Sequence, residues 1–433
     1  MRFFKKGSLA AVIVGASLAS AVAAAPASAN FTPPFEGPCS GGSITAEGSS
    51  VGGLLWQAQI EEFTVGEGCP GFKGSVNYSA TSSGQGLGTL RGSRSPSVRL
   101  VGTAEAPGNA EIALIDAGKL LTKSDDAEIR TIPEYVGAIA PIVNFPDGCT
   151  VPAGNAIPKE SEKVTRFQVS NATLESVFAG NSKVDTWGEL LPGIEGEGCA
   201  SKPIKRVVPS VRSGATFALK RWLATVNPAT GWEAYANPLL NTVWPRPTTN
   251  LVRASGTSAS NGVNEATTVS ATDGSIGFTG LDVARAQGFS QVGTNNDDRY
   301  WIPLHDTAGN LVEPSHSAIT SAVRGANCQE VSFSGVPSGV DPTLESWQDV
   351  SVVQGEGVYP LCTLVYGMAW DDSADAYGNT DAEQAQQRTV SDFVNFQLSG
   401  IGQSRATPSD QSRLPEAILT IARAGAQQIG WAK

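Results

Sequence analysis

The sequence predicts an α/β protein with mixed, mostly parallel sheets. Short apolar runs alternate with stretches of helical periodicity along the chain, the arrangement that lays strands side by side with helices on their faces. Several of those runs end in small-polar turns that open a helix. Apolar residues make up 40 % of the 433 and charged residues 16 %, enough to bury a sizeable core and too little charge for a disordered chain. At roughly 100–200 residues per folding unit, the length fits two or three units.

Residues 1–29 stand outside the predicted fold. Arg2, Lys5 and Lys6 precede an alanine-rich apolar stretch from Leu9 to Ala25, and Ala27-Ser28-Ala29 has the small-residue spacing of a signal-peptide cleavage site. The stretch is short for a span of about 20 residues. Cys39, the first cysteine, lies too far beyond the cleavage point for a lipid anchor. The expectation is a secreted, periplasmic or cell-envelope protein with a cleaved signal peptide.

The first predicted strand is Ile44–Glu47, followed by a Gly-Ser-Ser turn and a helix from about Leu54 to Phe63. Val76–Ala80 is the second strand, and Ser82-Ser83-Gly84 opens the next helix. Tyr135 to Asn144 is apolar and long enough for a strand that crosses between lobes. Arg206–Val211 leads through Ser213-Gly214 into a helix ending near Val226, and Ser275–Phe278 runs into a helix near Leu281–Gln287. Asp392–Leu398 and Leu414–Ile429 read as helices, with Pro415 in the first turn of the last.

All six cysteines (Cys39, Cys69, Cys149, Cys199, Cys328, Cys362) follow the signal segment, an even number that suits an oxidising compartment. Their spacing does not determine the pairing. Joining neighbours is the simplest scheme, each bridge closing a loop of roughly 30–50 residues and contributing about 3–4 kcal/mol on the chain-entropy model. Metal ligation is not expected, because no C-x-x-C occurs and the chain has only two His.

The formal charge of −11 and pI near 4.8 argue against a phosphate-backbone partner, so no nucleic acid is expected, and they disfavour anionic lipid. A small anion is not excluded, since pocket charge and net charge are separate quantities. Three strand-to-helix turns share one grammar: G-S-S-V at 48–51, T-S-S-G at 81–84 and R-S-G-A-T at 212–216. Each places hydroxyls and unsatisfied N–H groups at a helix N-terminus, which favours anions. Singly, each is an N-cap.

The order of segments resembles the phosphate-binding proteins of bacterial ABC transporters. The resemblance is carried by ITAEGSSVGGLLWQAQIEEF, VNYSATSSGQGLGTL, YVGAIAPIVNFP, TLESVFAGNSKVDTWGEL, VVPSVRSGATFALKRWLATVNP, SNGVNEATTVSATDGSIGFTGLDVA, WIPLHDTAGNLVEPS, VSDFVNFQLSGIGQ and RLPEAI, in family order from about residue 43 to 429. It implies the two-lobed type II binding-protein fold hinged by two crossover strands, near Tyr135–Asn144 and Gly274–Leu281. One lobe would comprise 30–134 and 275–433, the other 138–270. It implies a monomer that captures phosphate or a similar small oxyanion for an ABC transporter permease, with no cofactor.

Carried over residue by residue, the ligand set implied is Ser50 and the Val51 amide, Ser83 and Gly84, then Ser213, Gly214 and Ala215. The family's threonine at the last of these is lost, with Thr216 one place later. Glu105, in G-T-A-E-A-P, stands where the family has an aspartate that accepts the hydrogen of a protonated phosphate. The family's phosphate-gripping arginine and its orienting aspartate are replaced by Pro209 and Val211, leaving Arg212 as the candidate cation.

Other chemistries fit less well. A Ser-His-acid triad needs an imidazole base, and His305 and His316 both fall in the loop-like HDTAGNLVEPSH. Asp371, Asp372, Ser373 and Asp375 lack the glycine and terminal acid of a calcium loop, where Ala376 and Ala382 stand. Trp187, Trp222 and Trp370 read as packing residues. The expectation is a non-catalytic solute-binding protein. An orphan envelope sensor for another anion, or a phosphatase-like enzyme on the same scaffold, are the alternatives.

Overall fold

A computed structural model describes residues 39–430 apart from 93–96, 118–126, 158–164, 181–183, 233–243, 245–248, 255–259, 291–298, 316–322, 327, 330 and 379. The expected signal segment and His316 lie outside the described residues. The first strands, β1 (Ile44–Gly48), β2 (Val76–Ser79) and β3 (Val98–Thr103), pair in parallel in the order β2-β1-β3. Helices α1 (Gly53–Val65) and α2 (Ser83–Leu90) return the chain between them, and α3 (Asn109–Ala117) follows.

A single long strand, β4 (Ile129–Asn144), ties the molecule together. Ile129–Ala138 runs antiparallel to β14 (Cys362–Trp370), which in turn pairs with β3. Ile139–Asn144 runs antiparallel to β7 (Ser275–Gly280). The strand starts six residues earlier than the sequence predicts, and the reason is local. Pro133 argues against a ladder position. Here the pairing skips Glu134, with Pro133 opposite Tyr366 and Tyr135 opposite Val365, so a bulge accommodates the proline.

Beyond β4, α4 (Asn171–Ala179) and the short α5 (Trp187–Leu190) precede β5 (Lys205–Val208). This strand ends before the predicted Val211 because Pro209 cannot donate to the ladder. Next come α6 (Gly214–Val226), β6 (Leu251–Arg253), α7 (Asn261–Ser270), β7 and α8 (Leu281–Ala286). The sheet order is β2-β1-β3-β14-β4-β7-β5-β6, with β8 (Arg299–Trp301) also on β4. The sheet is therefore mixed: parallel on both flanks, antiparallel at its centre.

The return from β8 builds two small sheets. The first contains β9 (Leu304–His305), β10 (Leu311–Glu313) and β11 (Val323–Gly325), the second β12 (Phe333–Ser334) and β13 (Ser351–Val352). After β14 come α9 (Ser373–Tyr377), α10 (Asp381–Gln397), α11 (Gly400–Ser404) and α12 (Glu416–Ala426). Helix α10 begins well before the predicted Asp392, capped by Thr380, whose side chain accepts from Glu383 N. Pro415 is the N-cap of α12, one place ahead of its predicted first-turn position.

Each half of the sheet carries an aromatic cluster. Trp56 stacks on Tyr78 and meets Phe393, which meets Phe63. In the other half Phe145, Phe167, Trp187 and Tyr300 pack edge to face or tilted. Trp187, Trp222 and Trp370 are buried, as the sequence predicts. The disulfides join neighbours: Cys39–Cys69, Cys149–Cys199 and Cys328–Cys362. Asp371 accepts from Arg130 and from the Glu128 N–H, and Asp372 from the Ala374 N–H. Among the described residues no helix is long and apolar enough to cross a membrane, and no cluster of His, Cys, Asp or Glu could hold a metal.

Candidate functional site

The first turn is held from behind. Tyr78 Oη donates to Ser49 O (2.6 Å) and Tyr135 Oη to Val51 O (3.1 Å), directing the turn's carbonyls into the core. Gly52 takes φ +74°, and a Cβ there would stand 2.3 Å from the Tyr135 ring, so only glycine fits. The Val51 amide, expected to face a ligand, instead donates to Ser49 Oγ (3.1 Å) and is committed within the turn. Behind α1's N-terminus lies Asp282 of α8. Burial and the charge of Asp410 lift its carboxyl to about 7, opposed by the N–H groups of Val283, Leu54 and Gly52, which face it without reaching hydrogen-bond geometry. This turn therefore offers chiefly the Ser50 hydroxyl.

The second turn is a capped helix start. Ser82 Oγ accepts from Gln85 N, and Ser83 Oγ accepts from Ala104 N (3.0 Å), leaving the Ser83 proton free to donate elsewhere. The Ala104–Glu105 segment is anchored by Thr103, whose Oγ1 accepts from the Glu105 N–H and donates to Glu105 O. Glu105 is buried.

The third turn docks onto the second. A Cβ on Gly84 would stand 2.1 Å from Arg212 Cβ; one on Gly214 would stand 2.4 Å from Ser83 Oγ and 2.7 Å from Ala104 Cβ. These glycines are thus required by close approach. Ser213 is the N-cap of α6 but its hydroxyl makes no capping bond, so it remains available, as do the Gly214, Ala215 and Thr216 amides that face no carbonyl one turn earlier. Thr216 is fully buried, and its Oγ1 has no hydrogen-bond partner. Arg212 Nη2 meets Glu105 Oε2 at 3.3 Å and Glu111 Oε2 at 3.7 Å, while Glu111 also pairs with Arg91. Two cations and two carboxylates so form one buried, formally neutral chain.

A fourth helix end completes the cradle, one the sequence reading did not assign. At α7 the Asn261 N–H and side-chain amide both donate to Thr81 O (3.1 and 3.0 Å), and a Cβ on Gly262 would stand 2.9 Å from Ser50 Oγ and 3.0 Å from Thr279 Oγ1. The S-N-G at 260–262 before a helical run has the same small-polar grammar as the three assigned turns. Glu111 and Arg91 were also missed, because a helical glutamate and a loop arginine carry no local signal.

Ser50, Ser83, Gly84, Glu105, Arg212, Ser213 and Gly214 therefore follow the ends of β1, β2, β3 and β5, with Gly262 of α7 beside Ser50. The expectation that no G-x-S-x-G hydrolase elbow occurs is wrong, because Gly48-Ser49-Ser50-Val51-Gly52 has that spacing. No imidazole serves it among the described residues: His305, expected in a loop, ends β9 and places Nδ1 3.1 Å from Gly309 O.

Comparison with solved structures finds the same architecture. A phosphate-binding protein from Stenotrophomonas maltophilia aligns with a TM-score of 0.56 at 15 % identity, covering 88 % of this chain and 93 % of that one. The high-affinity periplasmic phosphate-binding protein PfluDING gives 0.56 at 19 %, covering 88 % and 93 %. A human phosphate-binding apolipoprotein gives 0.54 at 19 %, covering 88 % and 94 %. At these identities the likeness establishes the fold, the type II binding-protein architecture. No curated protein matches the sequence. A family model described as the PBP superfamily domain matches residues 33–399, most of the chain. By that match and its fold, the chain belongs to the PBP superfamily.

Proposed function

We propose that this protein is an exported solute-binding protein that captures phosphate, or a similar protonated oxyanion, and hands it to an ABC-type importer without chemical change. The lobes divide at β4, with 30–134 and 275–433 on one side and 138–270 on the other, and β4 and the strand at 274–281 act as hinge. The reading is supported most by the contact of α2 and α6 through Gly84, Gly214, Ser83 and Arg212, which brings hydroxyls and helix-end amides from distant parts of the chain to one place. Such ends replace an anion's hydration shell with fixed dipoles. Ser50, Ser83, Ser213 and the Gly214, Ala215 and Thr216 amides donate; Arg212 supplies charge.

Glu105 sets selectivity in this scheme. An ionised carboxylate accepts the hydrogen of a protonated phosphate and repels a fully deprotonated oxyanion such as sulfate. Calorimetric titration checks this: the wild type is expected to prefer phosphate, and Glu105→Gln to narrow the phosphate-to-sulfate affinity ratio at least tenfold. An unchanged ratio removes Glu105 from the site. Failure of both anions to bind the wild type sinks the oxyanion reading.

A further inference from the structure

We infer that the captured oxyanion carries an organic group, as a phosphate monoester does, and that this group lies in a cavity running along α6. The inference rests on the oxyanion reading above and specifies its ligand class. The cavity encloses about 270 Å³. Phe217, Ala218, Arg221, Trp222 and Thr225 line it from α6. They recur at the three- and four-residue spacing of one helix face. Gly214, which meets Ser83 and Ala104, belongs to the same stripe. At 1.5 Å per residue, the cavity wall begins about 4.5–6 Å beyond the cradle. From the other side Ala106, the residue after Glu105, lines it too. Cradle and cavity therefore adjoin at two places.

The walls specify an apolar guest. Besides Phe217 and Trp222, the lining includes Phe333, Val352, Leu364 and Tyr366. Most of its polar side chains are engaged with protein, Ser351 with Ser334 among them. Arg221 Nη1 donates to Gln348 O, Thr225 Oγ1 to Trp222 O, Gln354 Nε2 to Pro360 O and Thr363 Oγ1 to Leu364 O. An aryl or alkyl group covers the apolar walls and brings no polar group that needs a partner there. An apolar cavity of about 150 Å³ already accommodates benzene.

The cradle itself supplies a second argument. Arg212 is already met by Glu105 and Glu111, the Val51 amide is bonded within its turn, and Asp282 faces α1. The grip on a bare phosphate is weakened at each of these points. An adjacent apolar cavity is where the remaining affinity would come from.

Titration of the mature chain with inorganic phosphate and with phenyl phosphate tests this. Phenyl phosphate is expected to bind at least tenfold tighter. Ala218→Leu and Ala218→Phe, which fill the cavity near the cradle by increasing amounts, should each abolish that advantage and leave inorganic phosphate within twofold of wild type. Phenyl phosphate binding no tighter than phosphate overturns the inference and leaves the oxyanion reading standing. So does an advantage that survives both variants in folded protein. If neither compound binds the wild type, the oxyanion reading fails and the inference with it.

Discussion

Arg166→Met is expected to destabilise the protein by about 3–5 kcal/mol, the usual cost of stranding one partner of a buried ion pair. Arg166 Nη1 lies 2.9 Å from Glu313 Oε2, with 4 % and 0 % of the two side chains exposed. The pair ties the segment after Val151 to β10, and Trp301 Nε1 donates to the same oxygen (3.2 Å). Burial pushes the Glu313 carboxyl above its ordinary range, with Arg166 and Trp301 pulling it down. Removing the guanidinium lets burial dominate. A carboxyl whose folded-state pKa is raised favours the folded state at low pH and loses that contribution as pH rises. The penalty should therefore be larger at pH 7.5 than at pH 4.5 in urea unfolding. Adding Glu313→Gln, which removes the charge and keeps an acceptor for Trp301, should restore most of the loss. Equal stability of Arg166→Met and wild type at pH 7.5 would show that the pair holds nothing.

Asp282→Asn is expected to flatten the pH dependence of stability. The folded-state carboxyl sits near 7 against about 3.9 in an unfolded chain. The folded state thus holds a proton that the unfolded chain releases. That contribution is complete below pH 4, declines through pH 7, and falls by about 2 kcal/mol between pH 5 and pH 7. The unfolding free energy of the wild type should fall by that amount relative to the variant over this interval. Parallel curves would mean that the Gly52 and Leu54 amides stabilise the anion more than burial penalises it. The outcome also bears on the site, because a charged Asp282 behind α1 would repel an incoming anion at Ser50.

Much of the fold was legible because strand and helix leave period-two and period-3.6 traces and because small-polar residues mark where one becomes the other. The G-S-S, T-S-S-G and R-S-G turns all open helices. What the residues misled about were boundaries. Pro133 hid the start of β4, since a bulge that absorbs a proline depends on the partner strand Cys362–Trp370, far along the chain.

The site divides in the same way. Hydroxyl-bearing turns, the Glu105 substitution and the displaced arginine are facts of linear order, and so is the adjacency of cysteines that proved to pair with their neighbours. Only the folded molecule decided that Arg212 would lie on Gly84 between two glutamates, that the Val51 amide would bond to Ser49, and that α7 would bring Gly262 to Ser50. Apart from the bond within the first turn, these are contacts across a hundred residues or more. Their geometry is set by which strands share the ladder beneath them, and no local pattern of side chains encodes it.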